Sequence, residues 1–307
     1  MIYSAADPES LRGPEHSHGW CDELAKWDNA NNAAEAAWDN YQMGLRIGDD
    51  PRTLITTSPR NMPLLRRILE SEGVALVRGR MEDNADNLSD GHAERMRAQY
   101  GKSALGRQEL DGELLDEPEG ALWTRALIEQ VRIDGFDAAR LTRIVVAVDP
   151  PASATGDACG LIVAGCDASA RGFILADGTV EKASPETWAR AAATLAETWA
   201  ADCIVAEANM GGAMVESVLR AAGIELTVRL VHARRGKAAR AEPVAALYEA
   251  GRMFHAGLFG PLEDQLCGLM AGGGYEGPGR SPDRADALVW AVTELLLSKR
   301  GTPRIRS

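Results

Sequence analysis

Nowhere in its 307 residues does the chain carry a phosphate loop of the form GxxxxGK(S/T). The β- and γ-phosphates of a nucleotide then lack the backbone cradle and lysine that such a loop supplies, so efficient ATP hydrolysis by this chain alone is not expected. Cysteines are few: Cys21, Cys159, Cys166, Cys203 and Cys267 form no CxxC pair, and their number is odd. That excludes a zinc ribbon or a disulfide framework and favours buried thiols in a reducing compartment. His16 and His18 have no third ligand of the right kind nearby, so they make no zinc site. No apolar run approaches the ~20 residues of a membrane span. The N-terminus also lacks the basic and apolar regions of a signal peptide, and a cytoplasmic location follows as the expectation. Positive charge is scarce, with 33 Lys and Arg against 45 Asp and Glu and a formal net charge of -12. A generic nucleic-acid coating protein is thereby excluded, although local cations could still hold a phosphate backbone.

What is present is a globular composition, 45% hydrophobic and 25% charged, in a chain long enough for two ordinary domains. The first part is polar and irregular. Helices are expected over 33–46 and 63–71, strands over 53–57 and 74–77, and a charged, helix-forming stretch over 89–113. Asp116-Glu-Pro-Glu-Gly120 breaks the pattern and marks a boundary. The expected division is a domain over 1–118, a linker over 119–140 and a second domain over 141–307.

The second part has sharper signals. Strands at 144–148, 159–165 and 172–175 follow in quick succession, as in an antiparallel meander. Ser184 is a good N-cap and Pro185 a good first residue for a helix reaching about residue 200. Strand Cys203–Glu207, a helix over 210–222, a strand over 226–231 and three closing helices complete the order. Three strands followed by alternating helix and strand is the order of the ribonuclease H-like fold, a mixed sheet flanked by helices.

Three acids stand out in that order. Asp149 ends the apolar run Arg143-Ile-Val-Val-Ala-Val-Asp149, Glu207 ends Cys203-Ile-Val-Ala-Glu207, and Asp286 lies one turn into the closing helix. Acids at the carboxyl ends of strands stand where open α/β sheets gather ligands. Met by a third from a helix, they offer hard oxygens to two divalent cations, Mg²⁺ or Mn²⁺, of the kind that clamp a phosphodiester. Asp283, one turn before Asp286, is a further ligand candidate, or it complements the helix dipole. Asp157 and Asp167 read as solvated acids, Asp157 being a candidate for a supporting role. Arg234, Arg235, Lys237 and Arg240 form a short basic stretch without an acid, suited to DNA phosphates or simply solvated.

Near the N-terminus, Asp22-Glu23 follows Trp20-Cys21, and Thr53-Leu-Ile-Thr-Thr-Ser-Pro59 follows a helix. Together with Gly106-Arg-Gln-Glu-Leu-Asp-Gly-Glu113, the three acids and Ser281-Pro-Asp-Arg-Ala-Asp-Ala-Leu288, these stretches resemble the large terminase subunits of tailed phages, prophages and gene-transfer particles. The resemblance spans most of the chain. It implies an incomplete P-loop ATPase-like α/β domain before a ribonuclease H-like nuclease domain. Asp22 and Glu23 would be the remnant of Walker B, and Thr56 and Thr57 part of the motif coupling hydrolysis to movement. In the family, which uses ATP, the phosphate loop precedes Walker B, so the resemblance implies an N-terminally shortened chain that does not hydrolyse ATP efficiently by itself. It further implies a metal-dependent endonuclease that cuts double-stranded DNA during genome packaging, with portal protein and small terminase subunit as partners, acting at the procapsid portal in the host cytoplasm. Asp149 is expected to bridge two metal ions, with Glu207 and Asp286 each completing one site. Two other readings remain open: a catalytically silent assembly protein that binds DNA or portal, and a stand-alone ribonuclease H-like nuclease or resolvase.

Overall fold

His18–Cys21 and Arg52–Ile55 form strands β1 and β2, a parallel pair with Trp20 opposite Leu54 and Cys21 opposite Ile55. Helix α1 (Ala33–Gly44) makes the crossover that a parallel pair requires, and α2 (Pro63–Leu69) begins with proline, whose missing N–H costs nothing there. These elements enclose a small core of Cys21, Leu24, Ala25, Ala34, Tyr41, Leu64, Leu65 and Ile68. Helices α3 (His92–Tyr100) and α4 (Ala104–Glu109) occupy the stretch rich in helix formers. The strand expected over 74–77 is absent. Val74, Leu76 and Val77 are exposed and no described strand pairs with them, so β-propensity alone does not make a strand there.

This computed structural model describes residues 1–27, 33–101, 104–115, 118–151, 158–209 and 211–298. The chain divides into two compact units, Met1–Asp116 and Glu117–Ser307. The stretch expected as a linker, 119–140, is instead part of the second unit. It forms helix α5 (Arg125–Gln130), and Trp123, Ile128 and Val131 are buried in that unit's core. The Pro and Gly residues that suggest a break are followed at once by large apolar side chains that need cover.

The second unit is built on a six-stranded mixed sheet. Strands β3 (Leu141–Asp149), β4 (Gly160–Asp167) and β5 (Gly172–Asp177) form the antiparallel meander. Strands β6 (Cys203–Glu207) and β7 (Thr227–Val231) extend it in parallel beyond β3, and the short β8 (Met253–His255) runs parallel to β5. The order is β7-β6-β3-β4-β5-β8. Both faces are covered, which is why the central strands read as continuous apolar runs rather than alternating ones. On one face Val146, Val148, Leu161, Val163 and Ile204 meet α6 (Pro185–Thr198) and α7 (Ala213–Ala221). On the other, Val145, Ala147, Ile162, Ala164 and Val205 meet α8 (Lys237–Glu249), α9 (Gly260–Cys267) and α10 (Asp283–Val292). The Ser184 hydroxyl caps α6 by accepting from the Thr187 N–H, with Pro185 as the first helical residue. All five cysteines are buried, and none of them forms a disulfide. This is the mixed α/β sheet of the ribonuclease H-like fold. Among the described residues, no helix is long and apolar enough to cross a membrane.

Candidate active site

Strands β3 and β6 lie parallel and adjacent, with Val148 beside Ala206. Their last residues, Asp149 and Glu207, therefore leave the core at the same end of the sheet. Asp283 and Asp286 both come from the first turn of α10 and are nearly inaccessible to solvent. How α10 reaches this position is visible at Gly160, which pairs with Asp149 across β3 and β4. A Cβ at residue 160 would stand 2.0 Å from the Asp283 carbonyl oxygen, so only glycine lets the helix start settle onto the strand. From α9, the buried Gln265 side chain accepts the N–H groups of Arg284 (2.8 Å) and Ala285 (3.2 Å), satisfying donors that a helix start leaves open.

Four carboxylates meet in this way. Burial holds the Asp149 carboxyl well above the usual carboxylate range, and the neighbouring Asp286, Glu207 and Asp283 push it further, while Lys237 opposes them. The Asp286 carboxyl is also raised by burial, against the pull of Lys237 and Arg240. Lys237 donates to the Asp286 carboxylate and to the Ser281 hydroxyl (3.1 Å). Arg240 lies between two acids, 3.4 Å from Asp286 Oδ1 and 3.6 Å from Glu207 Oε2. Its guanidinium sits 4.6 Å from the centre of the Trp290 ring. The Trp290 indole N–H in turn donates to Glu207 Oε2 (2.6 Å), and Asn209 donates to Glu207 Oε1 (2.6 Å). Asn209 also accepts from the Ala233 N–H (2.9 Å), which ties the loop after β7 to the same acid.

The structure thus brings Asp149, Glu207, Asp286 and Asp283 together, and it brings Lys237 and Arg240 onto them. Arg234 and Arg235 are exposed in the loop before α8. Arg229 turns elsewhere: with Arg143 it holds the buried Glu294. Asp167 is taken up by Arg171 (2.7 Å) and the turn that follows β4, and Asp157 lies outside the described residues. Trp290, Asn209, Gly160 and Gln265 carry no sequence signal of a site. Trp290 does stand four residues after Asp286, on the same helix face, and Asn209 two residues after Glu207.

Among the described residues, no three acidic, histidine or cysteine side chains are grouped so as to hold a metal ion as they stand. The oxygens of Asp286 and Glu207 are turned to Lys237, Arg240, Trp290 and Asn209 instead. The donor set is nonetheless of the right kind. All-oxygen carboxylate sites suit hard divalent cations, and four acids facing two cations leave negative charge to be neutralised.

In the first unit, the residues after β1 and β2 also converge. The Thr56 hydroxyl donates to Asp22 (2.7 Å) and accepts from the Trp20 indole (2.9 Å), while Thr57 accepts from the Ala25 N–H (2.9 Å). Glu23 adopts the left-handed region with φ 47°, a strained conformation for a non-glycine residue, and pairs with Lys26 at 3.5 Å.

Comparison with known proteins also divides the chain in two, with its break between residues 130 and 146. Residues 1–130 match the family model described as the N-terminal part of the terminase large subunit, T4likevirus-type, and residues 146–295 match that of the terminase RNaseH-like domain. Similar solved structures include the large terminase of bacteriophage HK97, with 13% identity and a TM-score of 0.45 over 92% of this chain and 71% of that one. The large terminase nuclease of thermophilic phage G20c with bound cobalt has 16% identity and a TM-score of 0.44, over 58% of this chain and 98% of its own. The P22 large terminase nuclease domain has 13% identity and a TM-score of 0.44, over 55% and 89%. No curated protein matches the sequence. Matched in both units by models of one protein, the chain belongs to the terminase large subunit family.

Proposed function

We propose that this chain is a metal-dependent endonuclease that cuts double-stranded DNA during phage-type genome packaging, with Asp149, Glu207 and Asp286 as its catalytic and metal-binding acids. The observation that carries this reading is the convergence of acids from β3, β6 and α10 at one end of the sheet, with the Asp149 carboxyl destabilised by its neighbours. Such mutual repulsion is unfavourable in the free protein and is relieved by bound divalent cations.

In this reading Asp149, Glu207 and Asp286 would hold the divalent ions, with Asp283 beside them. A divalent ion held there supplies the Lewis acidity that phosphodiester hydrolysis needs. The protein's own part is orientation. Trp290 and Asn209 fix the two oxygens of Glu207, and Gln265 and Gly160 fix the start of α10, so the acids are aimed before substrate arrives. Arg234 and Arg235 are placed to meet the DNA backbone, which is expected to make binding salt-dependent and indifferent to sequence. Portal protein and a small terminase subunit are the proposed partners. In the first unit, Asp22, Glu23, Thr56 and Thr57 are a remnant of the packaging ATPase. Without a phosphate loop in the chain, nucleotide turnover by it alone is not expected.

Substrate choice tests the proposal. With Mg²⁺ or Mn²⁺ at low salt, linear duplex DNA is expected to be cut at least as fast as a four-way junction. Cutting confined to the junction would replace the packaging reading with a resolvase.

A further inference from the structure

Two cations face the acids, and they are held very differently. Arg240 is almost enclosed, with 11% of its side chain exposed, stacked on Trp290 and braced between Glu207 and Asp286. Lys237 is 46% exposed and has two partners, the Asp286 carboxylate and the Ser281 hydroxyl. It also occupies the first position of α8, where the helix dipole disfavours a positive charge, and its N-cap Gly236 offers no side chain to the helix start. A lysine so placed gains nothing from its own helix. What it gains comes from Asp286, through a pair whose lysine end is nearly half in water.

Resting on the metal-dependent reading above, the geometry points to Lys237 as a removable counter-cation. Its ammonium neutralises Asp286 in the free protein and must leave that carboxylate when a divalent ion takes it. Arg240 is the fixed charge of the site and Lys237 the exchangeable one. The free protein therefore keeps Asp286 neutralised by a side chain, and metal uptake there is opposed by displacement of that side chain. This also accounts for the Asp286 and Glu207 oxygens facing cations and donors. A lysine released in this way becomes available to a phosphate.

Calorimetric titration of the full chain with Mn²⁺ alone tests the exchange. Lys237→Met keeps the length of the side chain and removes its charge. It is expected to tighten Mn²⁺ binding by about two- to five-fold, the scale set by loss of one partly exposed ion pair. Arg235→Met removes an exposed charge from the neighbouring loop and is expected to change the affinity by less than about two-fold. Asp286→Asn is expected to weaken binding in either background. Thermal melts of each variant confirm that it is folded. Unchanged or weaker Mn²⁺ binding in Lys237→Met, with Asp286→Asn still weakening it, would overturn the exchange and leave the metal site standing. Equal tightening in Arg235→Met would overturn it in favour of general electrostatics. Absence of Mn²⁺ binding by folded wild type would overturn both the exchange and the reading beneath it.

Discussion

The two units treat their parallel strands in opposite ways. In the second, β3 and β6 are covered on both faces, and Val145, Val146, Ile204 and Val205 are all inaccessible to solvent. In the first, β1 and β2 bury Cys21 on one face but leave Trp20 66% and Leu54 60% exposed on the other. Parallel strands are ordinarily covered on both sides. A sheet packed on both faces can hold repelling acids at fixed positions, because moving any of them disturbs a close-packed core. The first unit lacks that support, and its polar cluster of Asp22, Thr56 and Trp20 is held by hydrogen bonds at a largely exposed strand end. The contrast favours the second unit as the place for the proposed chemistry, on physical grounds.

Truncation of matched apolar residues sharpens this comparison most. Leu161→Ala in the second unit removes a side chain with no solvent exposure and is expected to cost about 2–5 kcal/mol in urea unfolding. Gly160→Ala comes next. With the new methyl 2.0 Å from the Asp283 carbonyl, α10 must move, which is expected to cost about 1–3 kcal/mol and to lower nuclease rate more than ten-fold. Trp290→Phe keeps most of the packing but removes the donor to Glu207, and a drop of about ten-fold in rate is expected with a smaller loss of stability.

A milder test uses pH. Burial raises the Glu263 carboxyl, but the His255 hydrogen bond and charge, Arg132 and the Phe259 N–H together hold it below its usual value of 4.5. A lowered folded-state value means that its contribution is complete above about pH 4.5 and is lost as pH falls through the folded value. The melting temperature of Glu263→Gln should therefore fall less steeply with acidification below pH 4.5 than that of wild type. At the small end, Leu54→Ala in the first unit is expected to change stability by less than about 0.5 kcal/mol. A loss comparable to that of Leu161→Ala would mean that its face is covered in solution, and the comparison of the units would fail.

Elements with strong local signals were legible from residues alone. The run ending at Asp149, the strand ending at Glu207 and the capped helix from Pro185 each carry their pattern within a single window. β8 does not: Met253–His255 is three residues long, and its pairing with β5 comes from tertiary contact rather than periodicity. The 74–77 stretch failed in the opposite direction, apolar in pattern but without a neighbour. The 119–140 stretch misled because Pro118 and Gly120 stand beside Trp123, whose burial depends on residues far along the chain. The same limit applies to the site. Strand-end acids can be picked from sequence, but Trp290 meets Glu207 across 83 residues and Lys237 meets Asp286 across 49, and no local pattern announces either contact.

The central claim is that the acids gathered beside Asp149 cut DNA with a divalent metal. Supercoiled plasmid incubated without ATP in Mn²⁺, in Mg²⁺ and in chelator, with wild type beside Asp149→Asn, tests it most directly. The account predicts nicking and linearisation that need metal and fall more than about a hundred-fold in the variant, beyond the loss seen when only supporting residues of a metal site are removed. Folded wild type that leaves plasmid intact with both metals at low salt, or Asp149→Asn that cuts as well as wild type, would contradict it.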